Sequence, residues 1–168
     1  PPGRLRILPG LNDSTLIDDT YNSSPAAVKI ALETLHEINL EPQVPSGRKI
    51  VVMGDMMELG EYSEQEHRKV GSWLPGVADV LVCVGERSKW IGDEAQKDGF
   101  AKENVHYFPD SLSAGNFLVS DFDIRASDII LLKASQSIRL ERATEMLLAD
   151  PTKASELLVR QEREWKKR

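Results

Sequence analysis

The sequence predicts an α/β fold: a mostly parallel sheet with helices on both faces, preceded by a short N-terminal strand pair. Two observations predict it. Short apolar runs recur over residues 49–53, 80–84, 105–108 and 129–132, the first of them β-branched, and between them lie segments with apolar residues at helical spacing. Such runs suit strands buried on both faces, and repeated strand–helix units imply right-handed crossovers and a parallel sheet.

The elements follow in order. Leu5-Arg6-Ile7-Leu8 and Thr15-Leu16-Ile17-Asp18 flank a turn-rich Pro9-Gly10-Leu11-Asn12-Asp13-Ser14 and read as the opening strand pair. Ser24-Pro25 reads as an N-cap with proline at the first helical position. Val28, Ala31, Leu32, Leu35 and Ile38 then form one apolar stripe of a helix expected to end before Pro42. Gly47-Arg48 leads into strand 49–53, which stops at Gly54-Asp55. Ser63-Glu64-Gln65-Glu66 has capping-box spacing, with Ser63 as the cap of a helix running through Val70 and Trp73 to Pro75-Gly76. Strand 80–84 closes at Gly85, and residues 88–97 read as a helix carrying Trp90, Ile91 and Ala95. After strand 105–108, Pro109-Asp110-Ser111 caps a helix through Leu118. Strand 129–132 precedes a helix over 138–148, stopped by Asp150-Pro151. Residues 1–150 are expected to form a Rossmann-like domain and 151–168 a charged helical tail, in which Leu157-Leu158-Val159-Arg160-Gln161 and Trp165 either pack back on the domain or lie on a solvated helix.

Composition bounds the function. The chain has 168 residues, 40% of them hydrophobic, enough to bury a core in what is most simply one domain. A net charge of −6 argues against a nucleic-acid partner, which a basic face would serve. A single cysteine excludes a disulfide framework and a cysteine-only zinc site. No apolar run approaches the ~20 residues that span a bilayer, and the opening residues do not read as a signal peptide. A cytoplasmic domain with no membrane contact is expected. The chain starts at Pro1 without methionine, which fits a piece of something longer.

Ligands of such sheets bind beyond the carboxyl ends of the strands. Asp18 and Asp19, Gly54 and Asp55, Gly85 and Glu86, and Lys133 and Ser135 each follow a strand directly and outline a polar rim. The sequence contains no Gly-x-Gly-x-x-Gly, no Gly-x-x-x-x-Gly-Lys-Ser/Thr phosphate loop, no Gly-x-Ser-x-Gly and no His-Glu-x-x-His, and its three histidines are far apart. A metal site or a hydrolase triad therefore has little support in the sequence.

Longer strings carry more. Ile17-Asp18-Asp19-Thr20-Tyr21-Asn22-Ser23-Ser24-Pro25 resembles the Asp-x-x-Tyr-Asn-x-x-Pro segment that opens the C-terminal domain of Mur ligases. Val52-Met53-Gly54-Asp55-Met56-Met57-Glu58-Leu59-Gly60 resembles their Gly-Asp-Met-x-Glu-Leu-Gly loop, and His67-Arg68-Lys69-Val70-Gly71 follows at the family's His-x-x-Val-Gly spacing. Leu132-Lys133-Ala134-Ser135 resembles their Lys-Gly-Ser-Arg strand end, with Glu141 at the expected distance. The strings point to the branch that adds D-alanyl-D-alanine to a UDP-N-acetylmuramoyl peptide.

The resemblance implies a three-domain, ATP-dependent amide ligase of peptidoglycan precursor synthesis. Its N-terminal domain holds the UDP-sugar peptide, and its central domain carries ATP and magnesium. This C-terminal domain brings in the amino acid or dipeptide, closes over the nucleotide, and is inactive alone. Asp18, Tyr21 and Asn22 would contact the nucleotide; Lys133, Ser135, Gln136 and Arg139 would bind substrate; Gly54, Asp55, Glu58, His67 and Glu141 would support the loops. Lys133 is the leading candidate, because a strand-end ammonium can reach phosphate or carboxylate as a compact charge. The plain alternatives are turn chemistry at Asp18, Asn22 and Asp55, a structural hydrogen bond at His67, and an exposed lysine at 133. Two positions depart from the family pattern: its glycine is Ala134, and its arginine is Gln136, with Arg139 a candidate substitute for the lost fork. A non-catalytic Rossmann-like binding module, or the equivalent domain of a folylpolyglutamate- or cyanophycin-type ligase, stays open as an alternative.

Overall fold

A computed structural model describes residues 1–38 and 47–168. The expected helix end before Pro42 lies outside the described residues. A six-stranded sheet has the order β1-β2-β6-β3-β4-β5. The strands are β1 (Arg6–Pro9), β2 (Thr15–Asp19), β3 (Lys49–Gly54), β4 (Val80–Val84), β5 (Val105–Phe108) and β6 (Ile129–Lys133). The β1–β2 pair is antiparallel and every other pairing is parallel.

The helices divide between the faces. One face carries α1 (Pro25–Glu37), α2 (Ser63–Trp73) and α3 (Ser88–Lys97), whose Val28, Leu32, Leu35, Val70 and Ile91 pack on Val51, Met53, Leu81 and Leu131. The other carries α4 (Ser111–Ser120) and α5 (Glu141–Leu147), whose Ala114, Leu118, Ala143 and Leu147 pack on Ile50, Val52, Val82 and Leu132. Alternate residues of β3, β4 and β6 thus serve opposite cores, which is why these strands read as unbroken apolar runs. At ~25 cal/mol per Å² of apolar area, fully burying one such side chain is worth roughly 1.5–3 kcal/mol. These two cores therefore provide the main drive for the fold.

Local signals explain most boundaries. The Ser24 hydroxyl accepts from the Ala27 N–H with Pro25 at N1, and Asp110 accepts from the Ser113 N–H. Ser63, however, does not cap α2. A 3₁₀ turn over Gly60–Tyr62 brings the chain in already helical, so Tyr62 takes the cap position and Ser63 is the first helical residue. The last domain helix is also shorter than the 138–148 pattern: Gln136–Ile138 is a 3₁₀ turn, and Arg139 sits in the left-handed region at φ 56° before α5 begins. Residues 151–168 are helical only in short pieces, α6 (Ala154–Leu157) and α7 (Arg163–Lys166), after a 3₁₀ turn at Pro151–Lys153. Ala154 and Leu158 anchor this segment in the α4/α5 core.

Candidate functional site

Neighbouring strands β3 and β6 send their following helices to opposite faces of the sheet, α2 to one and α5 to the other. Such a divergence leaves a crevice beyond the carboxyl ends of the strands. Its rim is built from the segments after β2, β3 and β6. Two of the depressions that open there are one of about 220 Å³ beside Asp19, Tyr21, Asn22 and Lys133, and one of about 570 Å³ bounded by Asn22, Met57, Glu58, Ser135, Gln136 and Trp165.

The segment linking β2 to α1 is held by its carbonyls. Arg160 donates to the Thr20 carbonyl (3.2 Å) and the Tyr21 carbonyl (2.5 Å). The Lys133 ammonium donates to the Asn22 carbonyl at 2.9 Å, and the Ser135 hydroxyl to the Ser23 carbonyl at 3.4 Å. The Ser24 carbonyl accepts the first helical N–H, from Val28. With the backbone held from within, the side chains of Tyr21 and Asn22 stand exposed on the rim. The Arg4 guanidinium stacks 4.4 Å over the Tyr21 ring.

This arrangement corrects the sequence-based picture at several residues. Lys133 is not an exposed strand-end charge: only 2% accessible, it pairs with Asp19 at 2.7 Å, because parallel register sets β6 beside β2 with Asp19 opposite Lys133. Asp18 is fully buried on the other face, accepting from the Gly3 N–H (3.1 Å) and the Thr20 hydroxyl (2.7 Å), so no ribose reaches it in this conformation. Burial pushes its carboxyl up to about 6, against the lowering by those hydrogen bonds. Arg139 does not face the crevice as a free fork. Its Nε bonds Glu141 at 2.5 Å, its Nη1 bonds the Trp165 carbonyl at 3.0 Å, and its guanidinium lies 5.2 Å from the Trp165 ring. Gln136 is exposed on the rim, and no hydrogen bond ties its side chain among the described residues.

The residues expected to support the loops divide likewise. Gly54 lies against β6: a Cβ there would meet the Ala134 Cβ at 2.5 Å. The Asp55 carboxylate accepts from the Ser88 N–H at 2.7 Å, serving the start of α3, and its carbonyl accepts from the Ser135 N–H. His67 is buried. Its Nδ1 bonds the Ser63 carbonyl at 2.6 Å and its Nε2 accepts from the Met56 N–H at 2.9 Å, so the ring is neutral and ties the loop to α2. Burial lowers its pKa, which favours that neutral form. The Ser135 hydroxyl accepts from the Met57 N–H, joining the same loop to the β2–α1 segment. Glu58 does not support the loop in this way: it is exposed at φ 64°, with no side-chain hydrogen bond among the described residues. Glu141, 1% accessible, sits between Arg139 and Arg160, its second oxygen 2.9 Å from Arg160.

Sequence reasoning placed Arg160 and Trp165 in a segment that packs back on the domain or lies solvated, and gave neither a role at the site. The available signal was the apolar Leu157-Leu158-Val159 cluster in an otherwise charged segment. Among the described residues no group of three or more His, Cys, Asp or Glu could hold a metal ion. Tyr21 and Asn22 present a phenol and a carboxamide on the rim.

A family model described as Mur ligase, glutamate ligase domain, matches residues 3–136. The UDP-N-acetylmuramoyl-tripeptide--D-alanyl-D-alanine ligase of Bacillus subtilis is 29% identical over 151 residues, covering 88% of this chain and 31% of that protein. The ligase of the same name from Mycobacterium bovis is 30% identical over 164 residues, covering 89% of this chain and 31% of its own length. Among solved structures, the MurF ligase from Thermotoga maritima in complex with ADP matches with a TM-score of 0.69 at 27% identity, covering 93% of this chain and 32% of that one. MurF from Acinetobacter baumannii matches with a TM-score of 0.67 at 28% identity, covering 86% and 30%. The chain thus spans 31% of the length of these curated relatives.

Proposed function

The chain belongs to the Mur ligase family through its glutamate ligase domain, and on that premise we propose that it is the C-terminal, substrate-binding domain of a cytoplasmic, ATP-dependent ligase that adds D-alanyl-D-alanine to a UDP-N-acetylmuramoyl peptide. The observation that carries this reading is the match of nearly the whole chain to proteins named for that reaction, at one consistent third of their length. Its partners would be the N-terminal and central domains of the same enzyme, with magnesium held by the central domain.

ATP, when bound, supplies the phosphoryl group that activates the peptide carboxyl, and attack by the dipeptide amine then yields the amide, ADP and phosphate. This chain's share is positioning. Tyr21 and Asn22 offer a phenol and a carboxamide to the nucleotide edge. Gln136 and the wall beside Ser135 face the dipeptide. Lys133, paired with Asp19, holds the Asn22 carbonyl at the edge of the small depression. With the crevice closed against the central domain, water is excluded and each of these hydrogen bonds strengthens.

The test is a chimera in which this chain replaces the C-terminal third of the Bacillus subtilis ligase. Phosphate release that requires both UDP-N-acetylmuramoyl tripeptide and D-alanyl-D-alanine is expected, while the chain alone is inert. A folded chimera whose phosphate release ignores D-alanyl-D-alanine refutes the reading. So does turnover by the chain alone at an ordinary enzyme rate of roughly 1–1000 s⁻¹.

A further inference from the structure

We propose that Arg160, contributed by the C-terminal segment beyond the matched family region, is a positioning residue for the site: it sets the Thr20–Asn22 segment so that Tyr21 and Asn22 face the crevice. The inference rests on the proposed ligase reading for its functional half and on geometry for its structural half.

Arg160 is 8% accessible, stands at φ 56°, and lies 140 residues from Thr20 in sequence. Its planar fork reaches three acceptors: the Thr20 and Tyr21 carbonyls and the Glu141 carboxylate. Five donors in a fixed plane suit this arrangement, and a single ammonium does not. Leu158, two residues earlier, is buried in the α4/α5 core, so the guanidinium is delivered by an anchored segment. Glu141 balances its charge and is itself fixed by Arg139. Trp165 lies 5.9 Å from the same guanidinium and walls the larger depression. Two carbonyls of the rim segment therefore depend on a residue outside residues 3–136. Without Arg160 those carbonyls would seek water, and the two side chains they orient would sample other directions.

Arg160→Lys is the informative variant, because it keeps a cation opposite buried Glu141 while losing the fork. Two readouts are paired. In this chain, NMR follows the Tyr21 ring and the Asn22 carboxamide; their resonances should shift or broaden while those of β3 and β4 stay fixed. In the chimera, steady-state kinetics should show the KM for ATP rising by up to roughly tenfold, about the loss of one neutral hydrogen bond to the nucleotide, with the KM for the UDP-sugar peptide unchanged. A merely structural role would lower kcat through the active fraction and leave both KM values alone. Unchanged Tyr21 and Asn22 resonances in Arg160→Lys overturn the positioning. An inert chimera carrying the wild-type chain overturns the ligase reading and the functional half together, whatever the spectra show.

Discussion

Replacing Lys133 by methionine is expected to destabilise the domain strongly. Methionine keeps the apolar stem and most of the volume, so the change isolates the charge. The ammonium has 2% and the Asp19 carboxylate 12% of its side-chain surface accessible, and they lie 2.7 Å apart. Removing one partner of a buried pair leaves an uncompensated charge and costs about 3–5 kcal/mol. Asp19 borders the small depression and keeps some contact with water, which favours the lower end. For a chain of this size a loss of about 3 kcal/mol lowers Tm by roughly 6–12 °C. Thermal unfolding followed by circular dichroism reads this directly. Asp19→Asn combined with Lys133→Met should lose less than the sum of the two single changes, a coupling above about 0.5 kcal/mol. If Lys133→Met melts with the wild type, the lysine is solvated and does not hold the rim together.

Three other outcomes are expected. Asp18 has its carboxyl raised to about 6 in the fold from an ordinary 3.8, so the native state holds the proton more tightly and stability falls as pH rises through that window. Asp18→Asn should flatten this limb, the difference growing by up to about 3 kcal/mol between pH 4 and 7; parallel denaturation profiles for variant and wild type would contradict it. Gly54→Ala forces a Cβ to 2.5 Å from the Ala134 Cβ and 3.0 Å from Ile138 Cγ2. It should cost about 1–3 kcal/mol by overpacking, with Ala134→Gly in the same chain restoring much of it in urea melts. His67→Ala strips the buried Met56 N–H of its acceptor, a cost of about 1–3 kcal/mol; hydrogen exchange should accelerate at Met56 and Met57, and protection equal to wild type would refute the tie.

The strands and most helices were legible because their causes are local. Ile50 to Met53 and Val80 to Val84 are apolar without alternation because both faces are covered. Ser24 and Asp110 act within three residues of themselves. Ser63 misled because the capping-box pattern does not register the 3₁₀ turn that precedes it. At the site, the positions of the rim residues were readable to within a residue or two: Asp55 and Ser135 follow strands, while Asp19, Gly54 and Lys133 are the last residues of theirs. What each side chain does was not. Lys133 meets Asp19 across 114 residues and Arg160 meets Thr20 across 140, and no short string encodes either encounter. Asp18 and Asp19 are neighbours in sequence, yet strand pleating sends them to opposite faces, one into a core and one to the rim.

The sheet order also dictates when the crevice can exist. β6 is the last strand in the chain and occupies the slot between β2 and β3. As a chain emerges from the ribosome, β3, β4 and β5 can associate early, and β1 with β2, but these two groups have no strand pairing with each other until residues 129–133 arrive. Until then the facing edges of β2 and β3 are open, with Leu16, Ile17, Val51 and Val52 beside them, a setting that favours intermolecular pairing. Lys133 and Ser135 come with β6, and Arg160 later still. The crevice is therefore assembled late, and a chain halted before residue 129 carries Tyr21 and Asn22 without Lys133, Ser135 or Arg160, which hold the carbonyls of that segment.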